Sequence, residues 1–478
     1  MFLILILIII LDIITALELI FKYRRSIQST ISWVLLLVLF PIGGFVLYNL
    51  FGRGLKKSRK FKLKKEEDIA FRDNFLKNEF DLYSYQQDTV DILKKHSDMI
   101  RMFCNTDNVA FTDGNKVDIY RESNEFFSAL LESIENAKYS INIQFYIFKS
   151  DSIGTQIINL LEKKQKEGVR VKILYDAIGS RTLKSKVFNK LIALGGQVEA
   201  FLPHKLKKLR FNINYRNHRK LVIIDDSIGF IGGFNIGDEY LGRCAKFGLW
   251  RDTHLKIEGP ATTYMNLRFM MDWRFASNED IDLTSYLYKP TKKVGSVSVQ
   301  IVSSGPDTDL EEIKYGYIKM MQSAKKYIYI QSPYFILDET LLNTLKLAIF
   351  QGIDVRIMLP SKPDHPFVYW ASWSYAGELL NLGAKVYLYS EKAFLHAKTV
   401  VIDDEVCSIG TANMDIRSFS LNFEVNAFVY SQELSKLQRE IFESDILNSV
   451  ELTKEVYKSR NLTIRFKESI SRLLSPIL

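Results

Sequence analysis

One short pattern occurs twice in this chain, and it constrains the fold more than any other feature. Residues 217–225 read Asn-His-Arg-Lys-Leu-Val-Ile-Ile-Asp, and residues 395–403 read Leu-His-Ala-Lys-Thr-Val-Val-Ile-Asp. In both copies a Lys follows the His by two residues and an Asp follows it by seven. A single copy would suit a buried core His equally well. Two copies, in a chain with only six His, favour two related halves that share one site.

The residues within each copy predict its structure and its chemistry. They are β-branched or apolar, which indicates a short buried strand that begins at the His. Residues i and i+2 of a strand share a face, so His218 and Lys220 point to one site, as do His396 and Lys398. A neutral imidazole can attack phosphorus, and a protonated one can donate to a leaving oxygen. A Lys ammonium neutralises phosphate oxygens, so the pattern indicates phosphoryl transfer.

Further repeats place the two copies in similar surroundings. Three segments recur in the same order, 137–144 as 324–331, 168–174 as 352–358, and 194–198 as 382–386. Each repeat reads as strand, helix, strand, helix, strand and then the His strand. This order predicts an α/β fold of two half-domains at 111–285 and 286–478, each a mixed sheet with helices on both faces. A pseudo-twofold axis between them is expected to bring both motifs into one cleft.

The N-terminal residues 1–52 predict a pair of transmembrane helices. Residues 1–21 are nearly all Ile, Leu and Phe, are interrupted by two acidic residues, and lack the marks of a cleavable signal peptide. Residues 31–51 carry no charge and are long enough to cross a bilayer, with a kink expected at Pro41. The alternative is a helical hairpin buried in the protein.

A basic segment opens the connector 53–110, which is otherwise expected to be helical. Residues 53–65 contain eight basic residues and no acid, against three basic residues between the two hydrophobic segments. The positive-inside rule then places the downstream halves in the cytoplasm. The net charge of +9 indicates an anionic partner, which can be a phospholipid surface, a nucleic acid or a phosphorylated substrate.

The paired motif resembles that of the phospholipase D superfamily, and the hydrophobic N-terminus narrows the resemblance to the bacterial cardiolipin synthases. The resemblance implies a multi-pass enzyme of the bacterial cell membrane that faces the cytoplasm. Such an enzyme transfers a phosphatidyl group between two phosphatidylglycerol molecules through a phosphatidyl-histidine and releases glycerol. No cofactor, metal or nucleic acid is expected. The alternatives are a phospholipase D that uses water or another alcohol, a nucleic-acid phosphodiesterase, and an inactive membrane scaffold.

The resemblance also assigns roles to single residues. It makes His218 the nucleophile and His396 the acid, with a carboxylate from each half orienting the other half's His. The catalytic set that it implies comprises His218, Lys220, Asp225, Asp252, His396, Lys398, Asp403 and Glu424. From the residues alone, Asp225 and Asp403 are interpreted as charge-paired groups that hold the turn after each strand. Asp252 alternatively serves as an ordinary partner for Arg251.

Two further groups are candidates for substrate contact. Asn235 and Asn413 each lie ten residues after the motif Asp, where an amide either binds a phosphate oxygen or caps a helix. Arg417 and Ser418 are predicted to hold a second anionic headgroup. In the loop 205–210, four basic residues flank two Leu. That pattern suits either contact with an anionic bilayer or an ordinary solvated loop.

Overall fold

The structure is a computed structural model, and it describes residues 2–22, 27–48, 87–107, 109–202, 214–243, 248–283, 292–308 and 310–475. Two of the predictions from sequence concern residues outside these ranges. They are the cytoplasmic placement based on segment 53–65 and the bilayer contact of loop 205–210. Both stay predictions.

The N-terminal hydrophobic residues form three helices, α1 (Phe2–Lys22), α2 (Ile27–Leu39) and α3 (Pro41–Leu47). The second predicted span is divided because Phe40 leaves helical geometry, with φ −134° and ψ 69°, and Pro41 begins the next helix. Proline lacks the amide proton that would continue the hydrogen-bond ladder of α2. Within the described ranges, no helix meets the length and apolarity required to cross a membrane. The prediction of a transmembrane hairpin is therefore not shown.

The described part of the connector is helical, as predicted, and packs against the second half. It comprises α4 (Gln87–Lys95) and α5 (Ser97–Asp107). The ring of Phe103 lies 4.7 Å from that of Phe428. His96, between the two helices, lies 3.0 Å from the carboxylate of Glu405.

Both halves follow the predicted alternation of strands and helices before the motif strand. The first half contains β1 (Phe111–Tyr120), α6 (Ser123–Glu135), β2 (Ser140–Phe145), α7 (Ser152–Lys166), β3 (Arg170–Asp176), a 3-10 turn (Ser185–Phe188), α8 (Asn189–Ala193), β4 (Gln197–Phe201), β5 (Arg216–Asn217), β6 (Leu221–Ile224), β7 (Ile228–Gly232), β8 (Leu249–Arg251), β9 (His254–Glu258) and α9 (Ala261–Ser277). The second half contains β10 (Val297–Ser304), α10 (Glu312–Ser323), β11 (Tyr327–Gln331), β12 (Phe335–Ile336), α11 (Glu339–Phe350), β13 (Asp354–Pro360), α12 (Pro366–Leu382), β14 (Lys385–Tyr389), β15 (Ala393–Leu395), β16 (Thr399–Ile402), β17 (Val406–Gly410), β18 (Met414–Asp415), α13 (Ile416–Ser420), β19 (Asn422–Tyr430), α14 (Gln432–Ile446), β20 (Ser449–Leu452), α15 (Lys454–Lys458) and α16 (Leu462–Leu473).

The helix starts are repeated as well as the strands. Asp151 caps α7 by accepting a hydrogen bond from the amide of Gly154. Asp338 caps α11 in the same way, from the amide of Leu341. Such caps satisfy amides that have no partner within the first turn of a helix. The two halves therefore share local sequence signals as well as overall order.

The long strands of both halves join one continuous mixed sheet. Its order is β20-β14-β13-β11-β16-β17-β19-β10-β1-β9-β7-β6-β2-β3-β4. Within each half three strands run parallel, β2 with β3 and β4, and β11 with β13 and β14. At the centre β1 pairs antiparallel with β10, in the register Phe111 to Gln300 and Thr112 to Val299. This central pairing relates the halves by the expected pseudo-twofold arrangement, and the predicted α/β fold is confirmed.

The hydrophobic core has one part that both halves share. Residues of α9 and of the first-half strands pack there together with strands of the second half and α14. Trp273 of α9 is fully buried in it. Because apolar side chains from both halves are removed from water in the same cluster, the hydrophobic effect holds the halves in a fixed relation.

Candidate active site

The two motif strands begin later than the sequence predicts, and the reason lies in the opposite half. β6 and β16 start three residues after their His. The His backbones are engaged elsewhere, because the amide of His218 donates to the carbonyl of Phe423 at 2.9 Å and that of His396 to the carbonyl of Arg251 at 2.8 Å. The short strands before each His also cross over, β5 pairing with β19 and β15 with β8. The backbone at and just before each His is therefore held in the site by hydrogen bonds to the backbone of the other half.

Each imidazole contacts a buried carboxylate from the opposite half. Nδ1 of His218 lies 2.9 Å from both carboxylate oxygens of Glu424. Nδ1 of His396 lies 2.5 Å from Oδ2 of Asp252. Both carboxylates are fully buried. A carboxylate at Nδ1 fixes the ring orientation and leaves Nε2 for chemistry.

The carboxylates are themselves fixed by neighbouring groups. Glu424 accepts hydrogen bonds from the hydroxyl of Thr411 at 2.5 Å and from the side-chain amide of Asn422 at 3.1 Å. Asp252 accepts one from the backbone amide of Thr253 at 2.8 Å. Neither Thr411 nor Asn422 was predicted from the sequence to belong to the site. Asn422 is two residues before Glu424 on a strand, which places both side chains on one face.

The two motif lysines are buried in the same cluster. Nζ of Lys220 donates to the carbonyl of His218 at 2.7 Å. Lys398 donates to the carbonyl of His396, and its Nζ lies 3.8 Å from Asp252. Burial lowers the pKa of Lys220 to about 7 and that of Lys398 to about 8. An anion that enters the cluster favours the charged form of both lysines, because opposite charges attract strongly where water is excluded.

Burial also keeps both imidazoles neutral at neutral pH. It lowers the pKa of His218 to about 4, although the charge of Glu424 acts in the opposite direction. It lowers the pKa of His396 to about 3, helped by Lys398 and opposed by Asp252. A neutral ring is the form that attacks phosphorus. A bound phosphodiester anion raises the pKa of both rings and so favours a protonated acid.

The motif aspartates lie at the far end of their strands and bind backbone amides. The carboxylate of Asp225 accepts from the amides of residues 138, 139 and 140 at 2.7–2.9 Å. Asp403 does the same for residues 325, 326 and 327 at 2.6–2.9 Å. Both have a positive φ of 53°, which Asp tolerates in turns. They hold the turn, as interpreted, and in the described part of the chain they do so through backbone amides. These contacts do not join the imidazole cluster.

Comparison with known proteins agrees with this geometry. Residues 130–264 and 317–446 match the family model described as "Cardiolipin synthase, PLD-like domain", and residues 4–53 match "Phospholipase_D-nuclease N-terminal". The cardiolipin synthase of Listeria monocytogenes serotype 4a (strain HCC23) is 47% identical over 477 residues, which are 99% of this chain and 98% of that protein. The chain belongs to the cardiolipin synthase family of the phospholipase D superfamily.

A second relative and one solved structure extend the comparison. The cardiolipin synthase of Staphylococcus aureus (strain N315) is 48% identical over 477 residues, which are 98% of this chain and 95% of that protein. The crystal structure of phosphatidylserine synthase from Haemophilus influenzae Rd KW20 aligns with a TM-score of 0.60 at 16% identity, over 80% of this chain and 100% of that one. That structure shows the shared fold. The resemblance stated from the sequence is confirmed.

In this member of the cardiolipin synthase family, aromatic rings border both imidazoles. The ring of Tyr146 lies 4.8 Å from that of His218. The rings of Trp250 and Tyr240 lie 5.1 Å and 6.0 Å from that of His396. No spacing in the sequence pointed to these residues. They exclude water from the imidazoles and so contribute to the pKa shifts.

The two predicted asparagines have different surroundings. The side-chain amide of Asn235 donates to the hydroxyl of Tyr240, and its oxygen accepts from the amide of Ile147 at 3.0 Å. Asn413 is 4% exposed, and its backbone amide donates to the hydroxyl of Ser418 at 3.2 Å. The alternative role of helix cap is wrong for Asn413, because Asp415 caps α13.

Arg417 and Ser418 lie beside Asn413 but differ in exposure. The guanidinium of Arg417 donates to the side chain and to the carbonyl of Asn214, both at 2.6 Å. Asn214 belongs to the first half, so Arg417 links the halves near the first motif. Ser418 is fully buried, and its amide donates to Asp415 at 2.6 Å. The structure thus directs Arg417 towards the opposite half and Ser418 into the protein.

Proposed function

We propose that this chain is a phosphatidyltransferase that makes cardiolipin and glycerol from two molecules of phosphatidylglycerol. Identity of 47–48% over nearly the whole chain to relatives named cardiolipin synthase supports the substrate. The observation that carries the mechanism is the crossing of the pairs, His218 with Glu424 and His396 with Asp252. It leaves two Nε2 atoms, one from each half, for a single phosphodiester.

In the first step His218 acts as the nucleophile. Its Nε2 forms a bond to phosphorus, and the bond between phosphorus and the glycerol oxygen breaks. His396 gives a proton to that oxygen, and a phosphatidyl-histidine remains on His218. The attacking ring becomes positive, and Glu424 stabilises the charge through Nδ1 at 2.9 Å.

In the second step the same groups act in reverse. His396, now neutral, takes the proton from a hydroxyl of the second phosphatidylglycerol. The resulting oxygen attacks phosphorus, the bond from phosphorus to His218 breaks, and cardiolipin leaves. Asp252 holds His396 in the orientation that both steps require, through the contact of 2.5 Å.

Positive and amide groups stabilise the pentacoordinate phosphate. Lys220 and Lys398 are buried beside the imidazoles, where an electrostatic contribution is larger than in water. Asn235 and Asn413 add amide contacts to phosphate oxygens after local rearrangement. Arg417 holds the headgroup of the second lipid, and the buried Ser418 supports the site by accepting a hydrogen bond from the backbone amide of Asn413.

We also propose the division of the chain and its placement. Residues 1–52 attach the enzyme to the cell membrane, and residues 53–110 connect them to halves at 111–285 and 286–478 on the cytoplasmic side. Membership of the cardiolipin synthase family supports the membrane association. A single Cys at an exposed site of either half, with the native Cys removed, is expected to resist an impermeant thiol reagent in intact cells. Ready labelling in intact cells contradicts the cytoplasmic placement.

The reaction itself is tested with purified protein and one lipid. Labelled phosphatidylglycerol in micelles is expected to yield labelled cardiolipin and free glycerol. Phosphatidic acid as the sole product identifies a phospholipase D that uses water. Cleavage of DNA without lipid turnover identifies a nuclease. Either of the last two results overturns the proposal.

A further inference from the structure

The C-terminal helix α16 is amphipathic, but its apolar side faces outward. The apolar stripe is exposed to the following extents: Leu462 81%, Phe466 66%, Ile470 37% and Leu473 69%. The side turned towards the protein carries polar groups, with Glu468 4% and Ser471 1% exposed. A surface helix of a globular protein ordinarily buries its apolar stripe. Because of this reversed orientation, the stripe can contact an apolar surface outside the described part of the chain.

Ion pairs fix α16 in this orientation. Glu468 pairs with Arg460 at 2.8 Å, just before the helix. Arg472 pairs with Glu378 of α12 at 2.5 Å, and Lys467 lies 5.4 Å above the ring of Trp370 on the same helix. Rotating the stripe inward breaks these contacts and exposes the buried pair of Arg460 and Glu468. The outward stripe is therefore set by the packing of α16 on α12.

The charges around the stripe suit an anionic surface. Residues 453–473 contain six basic and two acidic residues, and one of the acids, Glu468, is buried in an ion pair. At 100° per residue, Arg465 and Lys467 lie on opposite flanks, each about 60° beyond an edge of the stripe. Long basic side chains in such positions can reach headgroups while the apolar residues enter the acyl layer.

We propose that α16 lies in the plane of an anionic phospholipid bilayer, with its apolar stripe in the boundary between headgroups and acyl chains. The proposal rests on the proposed function, because an enzyme that uses two bilayer lipids must hold its cleft against the bilayer. α16 is joined to the site through α12. The hydroxyl of Ser372 on α12 accepts from the amide of Phe335 at 2.9 Å, and β12 pairs with β18 next to Arg417. Docking of α16 therefore sets the orientation of the cleft.

The position of the stripe can be measured without reference to activity. In the full chain with Cys104, Cys244 and Cys407 changed to Ala, Phe466→Cys carries an environment-sensitive fluorophore, and Tyr139→Cys is the control. Tyr139 is 68% exposed in the first half. In vesicles of equal phosphatidylglycerol and phosphatidylcholine, doxyl lipid is expected to quench the label at 466 and not at 139. Soluble iodide is expected to quench only the label at 139.

Three other results overturn docking on lipid. Quenching of the label at 466 by iodide and not by doxyl lipid shows that water covers the stripe. Protection from both quenchers shows that protein covers it, either a second copy or another segment of the chain. Equal quenching by doxyl lipid in vesicles without phosphatidylglycerol contradicts the role of the basic flanks. Each result stands even if the protein makes no cardiolipin, so failure here is distinct from failure of the proposed function.

A second experiment tests the consequence for turnover. Changing Leu462, Phe466 and Leu473 together to Gln is expected to lower turnover of phosphatidylglycerol in vesicles about tenfold. Turnover in detergent micelles should stay within about twofold of wild type, because micelles do not require a fixed orientation. The matched control changes three exposed apolar residues elsewhere, Phe350, Leu447 and Val450, to Gln.

The control variant should keep wild-type turnover in both systems. An equal loss in vesicles and in micelles for the α16 variant means that the stripe supports the fold, which overturns the proposal. An unchanged turnover of that variant in vesicles overturns it as well. So does an equal loss in the control variant, since that loss does not depend on α16.

Discussion

The pairing of His218 with Glu424 gives the sharpest test of the mechanism. Glu424→Gln keeps the shape of the side chain and removes its charge. In the native site both carboxylate oxygens lie 2.9 Å from Nδ1, and Thr411 and Asn422 also donate to them. Gln can offer only one acceptor to these three donors. Its NH2 group favours the tautomer of His218 in which Nδ1 accepts and Nε2 carries the proton, and that tautomer cannot attack phosphorus.

The size of the effect follows from two losses. The variant no longer holds His218 in the tautomer that attacks phosphorus, and it no longer stabilises the positive charge that develops on the ring. General acid–base arrangements contribute about 10²- to 10⁴-fold, so kcat should fall by that factor. This corresponds to about 3 to 5 kcal/mol in activation free energy. KM should change little, because Glu424 is fully buried behind the ring and does not face the lipid.

The assay compares two matched changes of carboxylate to amide. Asp225→Asn removes a charge that three backbone amides bind at 2.7–2.9 Å, while Asn tolerates the positive φ. This control should lose about 2 kcal/mol in the free energy of unfolding but keep kcat within about threefold, since general acid–base groups are unchanged. If Glu424→Gln retains kcat, or if both variants lose it equally, the carboxylate does not position the nucleophile and the reasoning is refuted.

Three further predictions concern the same cluster. With labelled phosphatidylglycerol, His396→Asn should retain label on the protein and His218→Asn should retain none, as measured after denaturing gel separation; the reverse pattern exchanges nucleophile and acid. Because burial lowers the pKa of Lys220 to about 7 and that of Lys398 to about 8, kcat/KM should fall more steeply with pH above about 7 to 8, as both lysines lose their protons, than it does below pH 7; a slope that does not change between pH 6 and pH 9 contradicts a role for charged lysines. A chelator should leave turnover unchanged within error, because Lys220 and Lys398 neutralise the phosphate, and restoration of lost activity by a divalent ion contradicts this prediction.

Local periodicity in the sequence determined a large part of the architecture. The repeated frame around His218 and His396 identified two halves, and alternating apolar segments predicted the strands and helices of an α/β fold. These signals are visible because side-chain spacing along a strand or helix depends only on local backbone geometry. The partners Glu424 and Asp252 came from resemblance to a family and not from spacing, since they lie 206 and 144 residues from their imidazoles.

The tertiary structure alone decided how the site is assembled, which groups are buried in it, and which side of α16 faces the protein. The antiparallel pairing of β1 with β10 and the shared core place each motif His against backbone of the opposite half, which delays the start of the motif strands. Burial that arises only when the two halves of the chain pack together lowers the pKa of His218 to about 4 and that of Lys220 to about 7. The same holds for α16, whose sequence shows an apolar stripe but not the side that faces the protein. Orientation and burial depend on contacts between distant segments, and the spacing of residues along the chain does not encode those contacts directly.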